Sequence, residues 1–283
     1  MKGARHPTPS GLEVSRETRK QGGPLSASPA NVESIAKSVG QSIGTDARER
    51  VARWLGETRL RPREGFLERI EKFAATLALW GAHTNLTAEA SDPAEIAFHI
   101  IDSLAPFAFA SDANRDALEA ALAEGGTTLD LGSGAGFPGI VLAAAFAGRF
   151  TLVESRRKRA SFLQVAAHQM ALDNVAIEQR RASARSAACG FDLVTARAFG
   201  VSVELYEIAA AALRPSGMLL LYESSGQASS AQDLAERDLG QSLDARQARA
   251  EHFTEPATWN YRLPHRERVA DRTAALWCKH RAG

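Results

Sequence analysis

Leu129-Asp130-Leu131-Gly132-Ser133-Gly134-Ala135-Gly136-Phe137-Pro138-Gly139 decides the fold of this chain. An apolar strand runs into a glycine-rich turn, and a proline then opens a helix. About twenty residues further on, the apolar run Phe150-Thr151-Leu152-Val153 ends at Glu154. A carboxylate at a strand tip can accept hydrogen bonds from both hydroxyls of a ribose. Glycines in the preceding turn let the backbone lie close against a nucleoside. Gly132, Ser133, Gly134, Gly136 and Glu154 therefore read as a nucleoside-cofactor site.

Two cofactor classes compete for the loop. Gly134 to Gly139 formally matches the dinucleotide fingerprint G-x-G-x-x-G. In a dinucleotide site, however, the first glycine stands at the immediate end of the strand. That residue is Gly132, and counting from it puts Phe137 where the third glycine belongs. Asp130 in the strand end and three alternate glycines fit a methyltransferase loop better, with S-adenosylmethionine as cofactor. A nicotinamide-dependent oxidoreductase is the alternative enzyme class.

Outward from the loop, strands and helices alternate. Strands are expected at 127–131, 150–154, 174–178, 191–196 and 217–222, with helices at 138–147, 157–172 and 201–213. Such alternation implies an α/β fold with a parallel sheet covered on both faces. Segments near 247–254 and 273–279 could add antiparallel edge strands. Upstream, Val51, Trp54 and Leu55 share a helical face. Phe66, Leu67, Ile70, Phe73, Leu77 and Trp80 recur at three- and four-residue steps. A further helix follows Asp92-Pro93, and 113–123 also reads as helix. Residues 1–44 are rich in Pro, Gly, Ser and charge and read as a disordered tail. The expected organisation is this tail, a helical region over 45–126, and a catalytic domain over 127–283.

Composition excludes some classes. The 283 residues are 45% hydrophobic and 24% charged, and the net charge is +1. Any nucleic-acid role must therefore rest on local patches. No apolar run is long enough to cross a bilayer, and the first residues lack the apolar core of a secretory signal. Two distant cysteines, Cys189 and Cys278, cannot make a metal site alone and suit a reducing cytoplasm. No metal is expected.

Several charged groups are candidates for chemistry. Arg156-Arg157-Lys158-Arg159 follows Glu154 at the ligand-binding end of the sheet. It could contact RNA phosphates or form a solvated first turn of helix. Arg180, Arg181 and Arg185 could extend the same rim. Arg197 ends the strand Phe191-Asp192-Leu193-Val194-Thr195-Ala196 and so opens into the site. His99 and Asp102 lie one helical turn apart, and a helix-stabilising contact between them is the favoured reading. Arg262, His265, Arg266, Arg268 and Arg272 read as a solvated loop.

Thr84-Asn85-Leu86-Thr87, His99-Ile100-Ile101-Asp102-Ser103-Leu104, the Asp130–Gly139 loop, Lys158-Arg159 with Phe162-Leu163, and Phe191-Asp192 with Ala196-Arg197-Ala198-Phe199 occur in this order. In this the chain resembles the GidB family, also called RsmG, of bacterial small-subunit ribosomal RNA guanine-N7 methyltransferases. The resemblance implies a Rossmann-like S-adenosylmethionine-dependent methyltransferase fold with a helical N-terminal region. It implies cofactor contacts at Gly132, Phe137, Ala182, Ser183 and Arg197, and small-subunit (16S) ribosomal RNA as partner. A cytoplasmic monomer is expected. The chain departs from the family in two places. Ser183 stands where an acidic residue is usual. Leu221-Tyr222-Glu223-Ser224-Ser225-Gly226 lacks the lysine usual after the fifth strand. That missing cation keeps a non-catalytic RNA-binding assembly factor on a methyltransferase scaffold as a further alternative.

Overall fold

Alternating apolar residues along each strand build two layers of core in the computed structural model, which describes residues 29–81, 84, 86–87, 89–197, 202–224 and 243–281. The strands are β1 (Thr127–Leu131), β2 (Arg149–Glu154), β3 (Val175–Gln179), β4 (Phe191–Arg197), β5 (Leu213–Ser224), β6 (Ala257–His265) and β7 (Arg268–Cys278). They form one sheet in the order β3-β2-β1-β4-β5-β7-β6. Neighbours from β3 to β5 are parallel. β7 runs antiparallel between β5 and β6. Successive residues of β5 face opposite ways: Leu220 and Tyr222 join one core, Leu219 and Leu221 the other. The chain reverses its direction of travel across the sheet between β1 and β4. Open α/β sheets bind ligands at the strand ends beside such a switch point.

Helices α5 (Gly139–Ala145) and α6 (Arg157–Gln169) pack on one face with the N-terminal helices. Helices α7 (Val203–Ala212) and α8 (Leu243–His252) cover the other. The expected strands and helices of the parallel portion all occur, with ends shifted by a few residues. The expected strand near 247–254 does not. Leu243–His252 is helical, and the antiparallel strands are β7, beside β5, and β6 at the edge.

The N-terminal region comprises α1 (Pro29–Gly56), α2 (Phe66–Gly81), α3 (Pro93–Phe109) and α4 (Asp112–Leu122). Asp92 caps α3 by accepting from the Ala94 N–H at 2.8 Å, with Pro93 in the first turn. The helical region begins earlier than residue 45. Residues 29–44 of the expected tail belong to α1, and 1–28 lie outside the described residues. Gly40 and Gly44 give the reason. A Cβ at Gly44 would stand 2.6 Å from the Glu71 carbonyl oxygen, and one at Gly40 3.1 Å from Leu79 Cγ. The two glycines permit the close approach of α1 to α2 along its first half, and further on Val51 and Trp54 are buried in the core.

Arg63, between α1 and α2, ties this region to the sheet domain. Its guanidinium donates to the carbonyls of Ala143 and Ala144 at 2.9 and 3.1 Å, and to Asn174 Oδ1 at 3.3 Å. Those carbonyls close the C-terminus of α5, where helix acceptors lack intrahelical partners.

Candidate active site

The glycine loop leaves β1 with Gly132, Gly134 and Gly136 at φ of 68°, 56° and 95°. A side chain at these angles would be strained. The Gly132 and Ser133 N–H groups both donate to the Val153 carbonyl, at 2.9 and 3.1 Å. Ser133 Oγ donates to the Asp130 carbonyl. Glu154 is buried beneath the loop. Its carboxylate accepts from the Gly134 N–H at 3.0 Å and from the Arg156 N–H at 2.7 Å. It thus shapes the loop and retains acceptor capacity, since a carboxylate offers about four lone-pair sites.

A cavity of about 270 Å³ opens beside this loop, among the tips of β1, β2 and β3. Gly132, Val153 and Ala182 line it, with Ser155, Arg180, Arg181 and Glu204. Ser183 lies one residue beyond, where its Oγ caps a single 3₁₀ turn at 184–186. Arg180 is turned aside to Glu178 at 2.7 Å and Ser186 Oγ at 3.1 Å. Arg156, Arg157 and Lys158 are exposed at the entry to α6, so they are available to solvent or to an anion.

Arg197 meets a different set of groups at the end of β4. Its side chain is only 18% exposed. One terminal nitrogen donates to Asp102 Oδ2 at 3.3 Å, and the other donates to His99 Nδ1 at 3.2 Å. The guanidinium carbon lies 5.2 Å from the centroid of the Phe137 ring. The expected His99–Asp102 contact gives way to this arrangement: both side chains face Arg197 instead of each other. The buried guanidinium supplies donors that both acceptors need.

Asp102 is a junction. Its Oδ1 also accepts from Tyr261 Oη at 3.3 Å and pairs with Arg272 Nε at 3.4 Å. Burial pushes its carboxyl above the ordinary range, against the pull of both arginines. Arg272 lies over the Phe98 ring, 4.9 Å from its centroid, and Phe98 stacks on His265 at 4.1 Å. The basic stretch from Arg262 to Arg272 is therefore no solvated loop. It forms the β6–β7 hairpin, which docks on α3 through Arg272–Asp102, His265–Glu95 at 2.6 Å and Arg266–Asp92 at 2.7 Å.

His99 can only accept at Nδ1, because arginine has no acceptor, so its proton sits on Nε2, 3.4 Å from Glu95 Oε1. Burial first, then the charges of Arg197, Arg272 and His265, push its pKa down to about 3. The imidazole is neutral at physiological pH and cannot act as a general base without abandoning Arg197. Beneath the loop, Asp130 Oδ1 accepts from Thr195 Oγ1 at 2.8 Å, and burial raises its pKa. A Cβ at residue 139 would stand 2.5 Å from Asp130 Oδ2, so Gly139 lets helix α5 start hard against this carboxyl.

Residues 66–257 match the family model described as GidB, rRNA small subunit methyltransferase G. The chain belongs to the GidB family. Relatives named "Ribosomal RNA small subunit methyltransferase G" include one from Stenotrophomonas maltophilia (strain K279a). It is 38% identical over 151 residues, which are 53% of this chain and 65% of that protein. One from Coxiella burnetii (strain Dugway 5J108-111) is 33% identical over 178 residues, 62% of this chain and 81% of that protein. One from Wolinella succinogenes is 34% identical over 158 residues, 56% of this chain and 75% of that protein. The chain thus spans slightly less than two thirds of the Stenotrophomonas relative.

The GidB match runs from the start of α2 to the first residue of β6 and includes the glycine loop, the cavity and Arg197. Within this GidB chain, Gly132 and Ala182 line the cavity, with Ser133, Gly134, Gly136 and Glu154 forming the loop and its support. Phe137 and Arg197 meet each other beside α3 rather than at that cavity. Asn85, Ala198, Phe199, Ser225 and Gly226 of the quoted motifs lie outside the described residues. Sequence reading missed Glu204, Tyr261 and the role of Arg272. Glu204 stands in the first turn of the helix after β4, whereas the other two come in through the hairpin. Among the described residues no cluster of three His, Cys, Asp or Glu could hold a metal ion. No helix among them is long and apolar enough to cross a membrane.

Proposed function

We propose that this protein transfers a methyl group from S-adenosylmethionine to N7 of a guanine in small-subunit ribosomal RNA. The observation that carries the reading is the family match over the stretch containing both the glycine-loop cavity and Arg197. The cavity fits a nucleoside. Positive-φ glycines permit close backbone approach, and the Glu154 carboxylate stands at the tip of β2 with acceptor capacity left over. When bound, the cofactor supplies an electrophilic sulfonium methyl group. Gly132, Ala182 and Ser183 would flank its nucleoside, and Arg197 would face the acceptor side beyond Phe137.

Guanine N7 carries an in-plane lone pair and no proton. Methylation of that lone pair would leave no proton for the protein to remove. The protein's contribution is then alignment and exclusion of water. A neutral His99 and a permanently charged Arg197 suit that chemistry, because neither has to exchange a proton. Arg156, Arg157 and Lys158, exposed on the rim, would meet RNA phosphates. The protein would act as a monomer in the cytoplasm.

The test is single-turnover methylation of small subunits lacking the modification, from about pH 6 to about pH 9. N7-methylguanine should form at a rate that shows no ionisation of an enzyme base. Arg197→Ala should lose about a hundredfold, the scale of one charged contact in a dry site. Label at another atom, or a rate that requires a deprotonated enzyme group, would overturn the assignment of N7.

A further inference from the structure

The cavity between the glycine loop and the tip of β3 has one acidic side chain among its described lining residues, Glu204. Glu204 stands in the first turn of α7, a placement the helix dipole favours. Its side chain is 51% exposed and, among the described residues, reaches Arg181 alone, at 3.8 Å, an arginine itself 83% exposed. A pair that long and that solvated holds its members weakly. Arg180, the other rim cation, is already engaged by Glu178 and Ser186. Val153 and Ala182, both buried, offer the cavity apolar surface against which a flat ring can lie.

A flat heterocycle in this cavity would thus meet apolar walls and, at the rim, a carboxylate able to trade Arg181 for a better donor. We propose that Glu204 reads the exocyclic amino group of the cofactor's purine and so makes the site selective for adenine over a 6-oxo purine. The assignment rests on the cofactor reading above. An amino group donates to a carboxylate. A 6-oxo group presents an acceptor instead and leaves two acceptors facing each other. Sites built around a donor–acceptor pair reject such analogues strongly.

Calorimetry on the full chain tests this with S-adenosylhomocysteine and its deaminated counterpart, S-inosylhomocysteine. The native protein should favour the amino compound by at least about tenfold, the scale of one charge-assisted hydrogen bond. Glu204→Gln offers both a donor and an acceptor, so its preference should collapse toward unity. Glu204→Ala should weaken the amino compound and, with the facing acceptor gone, strengthen the oxo compound, so that its preference also falls toward unity. Melting curves of both variants should match the native protein, because the side chain is half exposed. Full discrimination retained in both variants would overturn the role of Glu204 while leaving the cofactor assignment intact. A native protein that binds neither compound would overturn the cofactor assignment, and the role of Glu204 with it.

Discussion

Replacing His99 with asparagine should flatten the dependence of stability on pH. In the folded protein the imidazole titrates at about 3, against an ordinary value of 6.5. A base whose folded pKa is depressed stabilises the fold above 6.5, and that contribution is lost as pH falls from 6.5 toward 3. The unfolded chain takes up a proton there that the folded chain refuses. The linkage penalty is about 0.2 kcal/mol at pH 7 and rises to about 2 kcal/mol at pH 5. The side chain is only 22% exposed, so solvent does little to soften it. Asparagine cannot be protonated, and its Oδ1 falls near the place of Nδ1, where it can still accept from Arg197. Asp102 and Asp130, both raised, tilt the curve the other way, but they are present in both proteins. Urea unfolding at the two pH values should therefore show the native protein losing about 2 kcal/mol more than His99→Asn on acidification. The asparagine variant should keep most of its turnover, and His99→Leu, which offers no acceptor, should lose about tenfold or more. Equal pH slopes for the native protein and His99→Asn would refute the neutral, arginine-bound imidazole.

Arg63→Ala should cost about 2–4 kcal/mol in chemical unfolding, because it strips the α5 carbonyls and Asn174 of a charged donor. Arg63→Lys should recover little, since a point charge cannot span those acceptors. Gly44→Ala should lose about 1–3 kcal/mol against the Glu71 carbonyl, whereas Gly56→Ala, with nothing within 4 Å of its Cβ, should lose none in the same melting assay.

What was legible in the sequence was local. The strand, the glycine loop and Glu154 lie within one βαβ unit, and their geometry follows from residue type and spacing. The start of α1 was hidden because residues 1–44 read as a tail by composition, yet the value of Gly40 and Gly44 is the close approach they allow to α2. The segment near 247–254 read as a possible antiparallel edge strand. It pairs as a helix with α7 instead, and Ala248 is its buried anchor. His99 and Asp102 were recognised as a pair by helical spacing. Their common partner, Arg197, comes from a strand nearly a hundred residues on. Arg272 and Tyr261 were illegible for the same reason: only the insertion of β7 beside β5 carries them to Asp102.

That insertion also dictates an order of assembly. β6 enters the sheet only through β7, and β7 has β5 on its other side. The two strands must arrive as a preformed hairpin, or β7 must add first and recruit β6 behind it. If β7 leaves β5, β6 leaves the sheet with it. Asp102 would then lose Tyr261 and Arg272 together and keep Arg197. The glycine loop and its Val153 and Glu154 partners belong to β1, β2 and the turns that follow them, so they hold without the hairpin, whereas the surroundings of Asp102 and Arg197 depend on a segment remote from that loop.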